Sequence, residues 1–82
     1  MANDFQNWLI EECELKLRSA RDVQSRLKRA NKFIDISQNI PEDELILSLN
    51  RIKDFRELQP TVQSQLRRSI KLYRKFLREN NS

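Results

Sequence analysis

The sequence predicts an all-α fold, a compact four-helix bundle, and three observations lead there. None of the 82 residues is glycine, which disfavours hairpins built on glycine turns. The two prolines, Pro41 and Pro60, each precede an apolar pattern of helical spacing, where a helix tolerates proline as its first residue. Apolar residues also recur at steps of three and four along most of the chain. A chain of this length makes one domain, residues 1–82, with a modest core.

The first helix is expected over residues 4–13. Asn3 or Asp4 can accept hydrogen bonds from the free amides of its first turn, and Phe5, Trp8 and Leu9 share one face. Trp8 reads as a core anchor. Residues 14–18 form a connector. Ser19 then has the character of an N-cap, with Asp22 three positions on in a variant of the capping box. The second helix, expected over 20–34, carries one apolar stripe of Ala20, Val23, Leu27, Ala30 and Ile34. Two of these are alanine, so a neighbouring helix can come close.

Residues 35–40 read as a polar linker. Pro41 opens the third helix, expected over 41–58. Glu42, Asp43 and Glu44 fill its first turn, where the helix dipole favours negative charge. Its apolar face runs through Leu45, Leu49, Ile52 and Phe55 or Arg56. Pro60 opens the fourth helix, expected over 60–79. Val62, Leu66, Ile70, Tyr73 and Leu77 make its stripe, widened by Phe76, and the chain is expected to fray from Asn80 to Ser82.

The composition narrows function. There is no histidine and a single cysteine, so neither an internal disulfide, nor a Cys/His zinc site, nor histidine acid–base chemistry is available. Cys13 lies among Glu11, Glu12 and Glu14, which disfavours a reactive thiolate, and it reads as a partly buried thiol near a helix end. Without glycine there is no phosphate-cradling loop. No apolar run approaches a bilayer span, and the acidic, amphipathic start does not resemble a secretory signal. These features predict a cytoplasmic protein of a bacterium, phage or mobile element, without cofactor or metal.

The net charge of +4 conceals an alternation. Residues 1–14 carry four acids and no base. Residues 16–32 carry Lys16, Arg18, Arg21, Arg26, Lys28, Arg29 and Lys32 against Asp22 alone. Residues 33–59 are acidic again, with six acids and three bases. Residues 60–82 carry Arg67, Arg68, Lys71, Arg74, Lys75 and Arg78 against Glu79. The second and fourth helices are thus basic. Set side by side, they would form one positive surface that attracts a polyanion through counterion release. Arg21, Ser25, Lys28 and Lys32 form an outward row with Arg29 beside it. Arg67, Lys71, Arg74 and Arg78 form a second row, flanked by Arg68 and Lys75. Few aromatic residues remain for stacking on single strands.

The stretch LKLRSARDVQSRLKRANKF, residues 15–33, resembles the second helix of the core-binding domain of phage integrases and related tyrosine recombinases. Leu15, Ser19, Ala20, Val23, Leu27 and Ala30 occupy the positions of that family's pattern. Val23 and Ala30 stand where the family has larger residues, and its usual Ser-Pro before the cap is missing. Phe5, Trp8 and Leu9 are similar to the family's opening helix. Ile70, Lys71, Tyr73, Phe76 and Leu77 match the end of its last one.

The resemblance implies a SAM-like helical domain that clamps double-stranded DNA opposite a catalytic domain, with its second and fourth helices toward the major groove. On that reading the DNA-facing residues are Arg18, Ser19, Arg21, Ser25, Lys28, Arg29, Lys32, Gln63, Arg67, Arg68, Lys71, Arg74, Lys75 and Arg78. Arg21, Ser25, Arg67 and Lys71 are the candidates for base edges. The family's nucleophilic tyrosine belongs to the catalytic domain. Tyr73, on the apolar stripe, is not expected to act as one, and no catalytic residue is expected here. The competing reading is an interaction bundle that self-associates by acidic-to-basic helix contacts.

Overall fold

The computed structural model describes residues 4–80, and every regular element among them is helical. Five helices follow one another: α1 (Asp4–Glu11), α2 (Leu17–Phe33), α3 (Glu42–Arg51), α4 (Lys53–Arg56) and α5 (Pro60–Asn80). The all-α expectation holds. The expected count of four does not, because the third predicted helix is divided in two. The cap expected at Asn3 and the fraying expected at Asn81 and Ser82 lie outside the described residues, and α5 itself includes Asn80.

α2 and α5 form the largest helix–helix interface. They run antiparallel: Ala30 shares a cluster with Leu66 and Ile70, whereas Ala20 and Val23 share one with Leu72, Tyr73 and Phe76. Ala20 and Ala30 have no exposed surface, as expected of small side chains under a closely packed neighbour. Ser69 is also buried, its hydroxyl donating to the Gln65 carbonyl at 3.0 Å. That bond satisfies a polar group which would otherwise be costly inside.

α1 ends at Glu11, two residues before the expected boundary. Glu14 adopts φ 57°, a left-handed conformation that favours glycine. With no glycine available, the corner between α1 and α2 carries a strain of about 1–2 kcal/mol. Eight residues are too few to hold a helix alone. An aromatic cluster holds α1 instead. The Phe5 ring meets Tyr73 edge-on at 5.4 Å, and Trp8 meets Phe76 at 5.7 Å. Each such pair adds about 0.5–1.5 kcal/mol beyond burial. Trp8 is buried, as expected of a core anchor.

α2 begins at Leu17, so Ser19 is its third residue and not its cap. Lys16 occupies the cap position in extended conformation. Its carbonyl receives the Ala20 amide at 2.9 Å, and no side chain caps the first turn. The capping-box expectation fails because the chain enters its helical turn before Ser19 is reached.

Residues 35–40 are an ordered corner rather than a bare polar linker. Asp35 Oδ1 accepts hydrogen bonds from the Ser37 amide at 2.9 Å and the Ser37 hydroxyl at 2.6 Å. These bonds hold the Asp35 carboxyl below its ordinary value. The corner is therefore supported above the usual carboxylate range and loses that support as pH falls through the lower, folded value. Asn31 accepts the Ile36 amide at 3.2 Å, and Ile36 is buried in the core.

The break between α3 and α4 falls at Ile52, whose backbone is extended. An unbroken helix would carry Phe55 about 100° round from the centre of the Leu45 and Leu49 stripe. The break redirects the chain, and Phe55 becomes fully buried, with its ring edge-on to Phe33 at 5.9 Å. Arg56 stays exposed. Pro60 opens α5 as expected.

Candidate nucleic-acid interface

All seven residues assigned to the second helix's interface, Arg18, Ser19, Arg21, Ser25, Lys28, Arg29 and Lys32, are exposed. At about 100° per residue, Arg18, Arg21, Ser25, Lys28, Arg29 and Lys32 fall within roughly 100° of arc. That arc lies half a turn from the stripe of Ala20, Val23, Leu27 and Ala30. Ser19, although exposed, falls outside this arc, beside the buried stripe. Asp22 at one edge is the sole acid of α2. None of the five cations on the arc makes a hydrogen bond or ion pair with another described residue.

The residues assigned to the last helix divide. Arg68, Lys71, Lys75 and Arg78 are exposed and clear of hydrogen bonds among the described residues. Gln63, Arg67 and Arg74 are half-buried and serve the fold, which corrects their assignment to a free surface. The Gln63 amide donates to the carbonyls of Arg56 at 3.1 Å and Leu58 at 2.7 Å, closing the end of α4. Arg67 donates to the Asn50 side chain at 3.1 Å, and its guanidinium lies 5.8 Å from the centroid of the Phe55 ring. It fastens α3 and α4 to α5 by a hydrogen bond and a cation–π contact. Arg74 donates to the carbonyls of Gln38 and Ile40 and pins the 35–40 corner. An arginine fork suits this task, offering five donors in fixed geometry to unpaired carbonyls.

The two basic surfaces do not form one wall. α5 is flanked on three sides: α2 along Leu66, Ile70 and Tyr73, α1 beside Leu72 and Phe76, and α3 with the 35–40 corner beside Arg67 and Arg74. Its free cations occupy the remaining side, which faces away from α2. The free arc of α2 in turn faces away from α5. The expected single positive surface is therefore two surfaces, on opposite sides of the helix pair. The cause is that each helix buries its stripe against the other, so each turns its basic side outward.

Cys13 is partly exposed and close to Lys75, Glu79, Glu12 and Arg68. Burial pushes its thiol above the ordinary value. Lys75 and Arg68 act against that, while Glu79 and Glu12 add to it. A raised thiol is a poor nucleophile at neutral pH. Among the described residues no group of three or more acids and cysteines could hold a metal ion. No described helix is long and apolar enough to cross a membrane.

Comparison with known proteins finds no match among family models, curated proteins or solved structures.

Proposed function

We propose that this chain is a double-stranded DNA-binding module of integrase core-binding type, with α2 as its principal surface and no catalytic group of its own. The carrying observation is the outward arc of Arg18, Arg21, Lys28, Arg29 and Lys32, which no carboxylate of the described residues neutralises. α2 is 17 residues long, so the helix extends about 25 Å at 1.5 Å per residue. It can lie in a major groove about 12 Å wide. Lys16 and Arg18 stand at the positive end of the helix dipole, with no acid in the first turn. That placement disfavours the helix by a few tenths of a kcal/mol per charge, and a phosphate there would reverse the penalty. The DNA-facing set contracts to Arg18, Arg21, Ser25, Lys28, Arg29 and Lys32, with Arg21 and Ser25 central enough to reach base edges. The cytoplasm is the compartment this reading implies.

Fluorescence anisotropy with a short duplex, repeated over a salt series, tests the proposal. Five phosphate contacts predict a log–log slope of about −4 to −5. Absence of binding at low salt overturns it. The exposed Glu11 at the end of α1, Glu12 just after it, and Asp43 and Glu44 of α3 favour the second reading, self-association by acidic-to-basic contact. That reading predicts a salt-sensitive dimer in light scattering and no shift with DNA.

A further inference from the structure

We infer that one copy of this protein holds two DNA duplexes at once, the first on α2 and the second on the far side of α5. This inference rests on the DNA-binding reading above and adds a second site to it. Arg68, Lys71, Lys75 and Arg78 are all exposed, and by helical spacing they fall within an arc of about 80°. Along the axis they span about 15 Å, enough to follow the phosphates of one groove edge. The side chains that would have tied this helix face to the rest of the molecule, Arg67 and Arg74, lie at its border and are already engaged.

Two duplexes on one small protein repel each other, so separation decides whether both can bind. The principal extents of the fold are 35 × 28 × 18 Å between Cα atoms. Even the shortest is about twice the Debye length of about 8 Å at physiological salt, before side chains are added. Repulsion across the protein is therefore largely screened. The two sites are not equal. The α5 side is bordered by Glu42, which shares a cleft with Arg78, and by Glu79 of α5 itself and Glu12, both near the Cys13 corner with Lys75 and Arg68. The α2 arc has only Asp22 at its edge. The second duplex is accordingly held more weakly and released first as salt rises.

A capture experiment tests this. One duplex is fixed to beads, the full chain is added at physiological salt, where the two sites are screened from each other, and recovery of a second, labelled free duplex is measured. Recovery is expected for the unaltered protein. The triple variant Arg68→Glu, Lys71→Glu, Lys75→Glu should lose about tenfold or more of the recovery while anisotropy on a single duplex changes by less than about threefold. Circular dichroism checks its helicity, and the triple alanine variant replaces it if helix is lost. Full recovery with the variant overturns the inference, because bridging would then run through α2 surfaces of two associated copies. Duplex binding without recovery overturns the second site alone. No binding to any duplex removes the DNA reading together with the inference.

Discussion

On α2, five of the six cationic side chains, Arg18, Arg21, Lys28, Arg29 and Lys32, reach into solvent, and the sixth, Arg26, is half-buried without a bond to another described residue; on α5, two of the six, Arg67 and Arg74, are half-buried and bonded within the fold. The two helices carry similar charge, yet their positions differ. α2 packs on α1 and α5 through a narrow stripe containing two alanines. α5 is central and meets neighbours on three sides. A basic residue at the border of a wide buried face finds carbonyls and rings within reach, and one opposite a narrow stripe finds only water or a ligand. Charge counts along a helix therefore overstate its binding surface in proportion to how central that helix is.

Substitutions can break this contrast, beginning with the largest effect. Arg21→Glu with Lys28→Glu on α2 should lower duplex affinity on the order of a hundredfold at low salt, with thermal stability unchanged. Equal affinity would show that α2 is not the surface. Arg74→Ala should do the reverse. It removes a charged donor from two carbonyls and should cost about 2 kcal/mol in denaturant unfolding, with affinity for a single duplex within about twofold. Arg67→Lys sharpens the point, because it keeps the charge and loses the fork. Stability should fall by about 1 kcal/mol, and restored stability would mean the charge alone mattered.

Glu14→Gly relieves the left-handed residue and should raise stability by about 1 kcal/mol. No gain would mean that the corner is not strained. The smallest effect concerns Cys13. Its thiol should react with a disulfide reagent at pH 7 more slowly than a free cysteine, and Lys75→Glu should slow it further by removing a group that lowers its value.

The helical periodicity made most of the fold legible. The stripes of α2 and α5, the proline start of α5 and the inward Trp8 all follow from spacing, whereas Pro41 precedes α3 as its cap residue and is not its first turn. The break at Ile52 was not legible, because neither proline nor glycine marks it. It arises from the need to turn Phe55 into a core whose direction only the assembled helices define. The start of α2 escapes the pattern because Ser19 has the chemistry of a cap but lies inside the helical turn.

For the candidate site, a signal existed that charge counting ignores. Gln63, Arg67, Ile70 and Arg74 follow steps of four, three and four. The three polar residues therefore share a row with a fully buried isoleucine. A row anchored by such a residue belongs to an interface within the molecule.

The attachment of α1 has a consequence for motion. Its eight residues have almost no intrinsic helicity, and its fastening is a set of rings shared with the end of α5 together with the buried Leu9 against Ala20 and Val23 of α2. Loosening of those contacts releases the whole segment at once, as a cooperative unit below the global unfolding free energy. Amide exchange along α1 would then rise in step from Phe5 to Glu11, while Leu66 and Ile70 stay protected until the entire molecule opens.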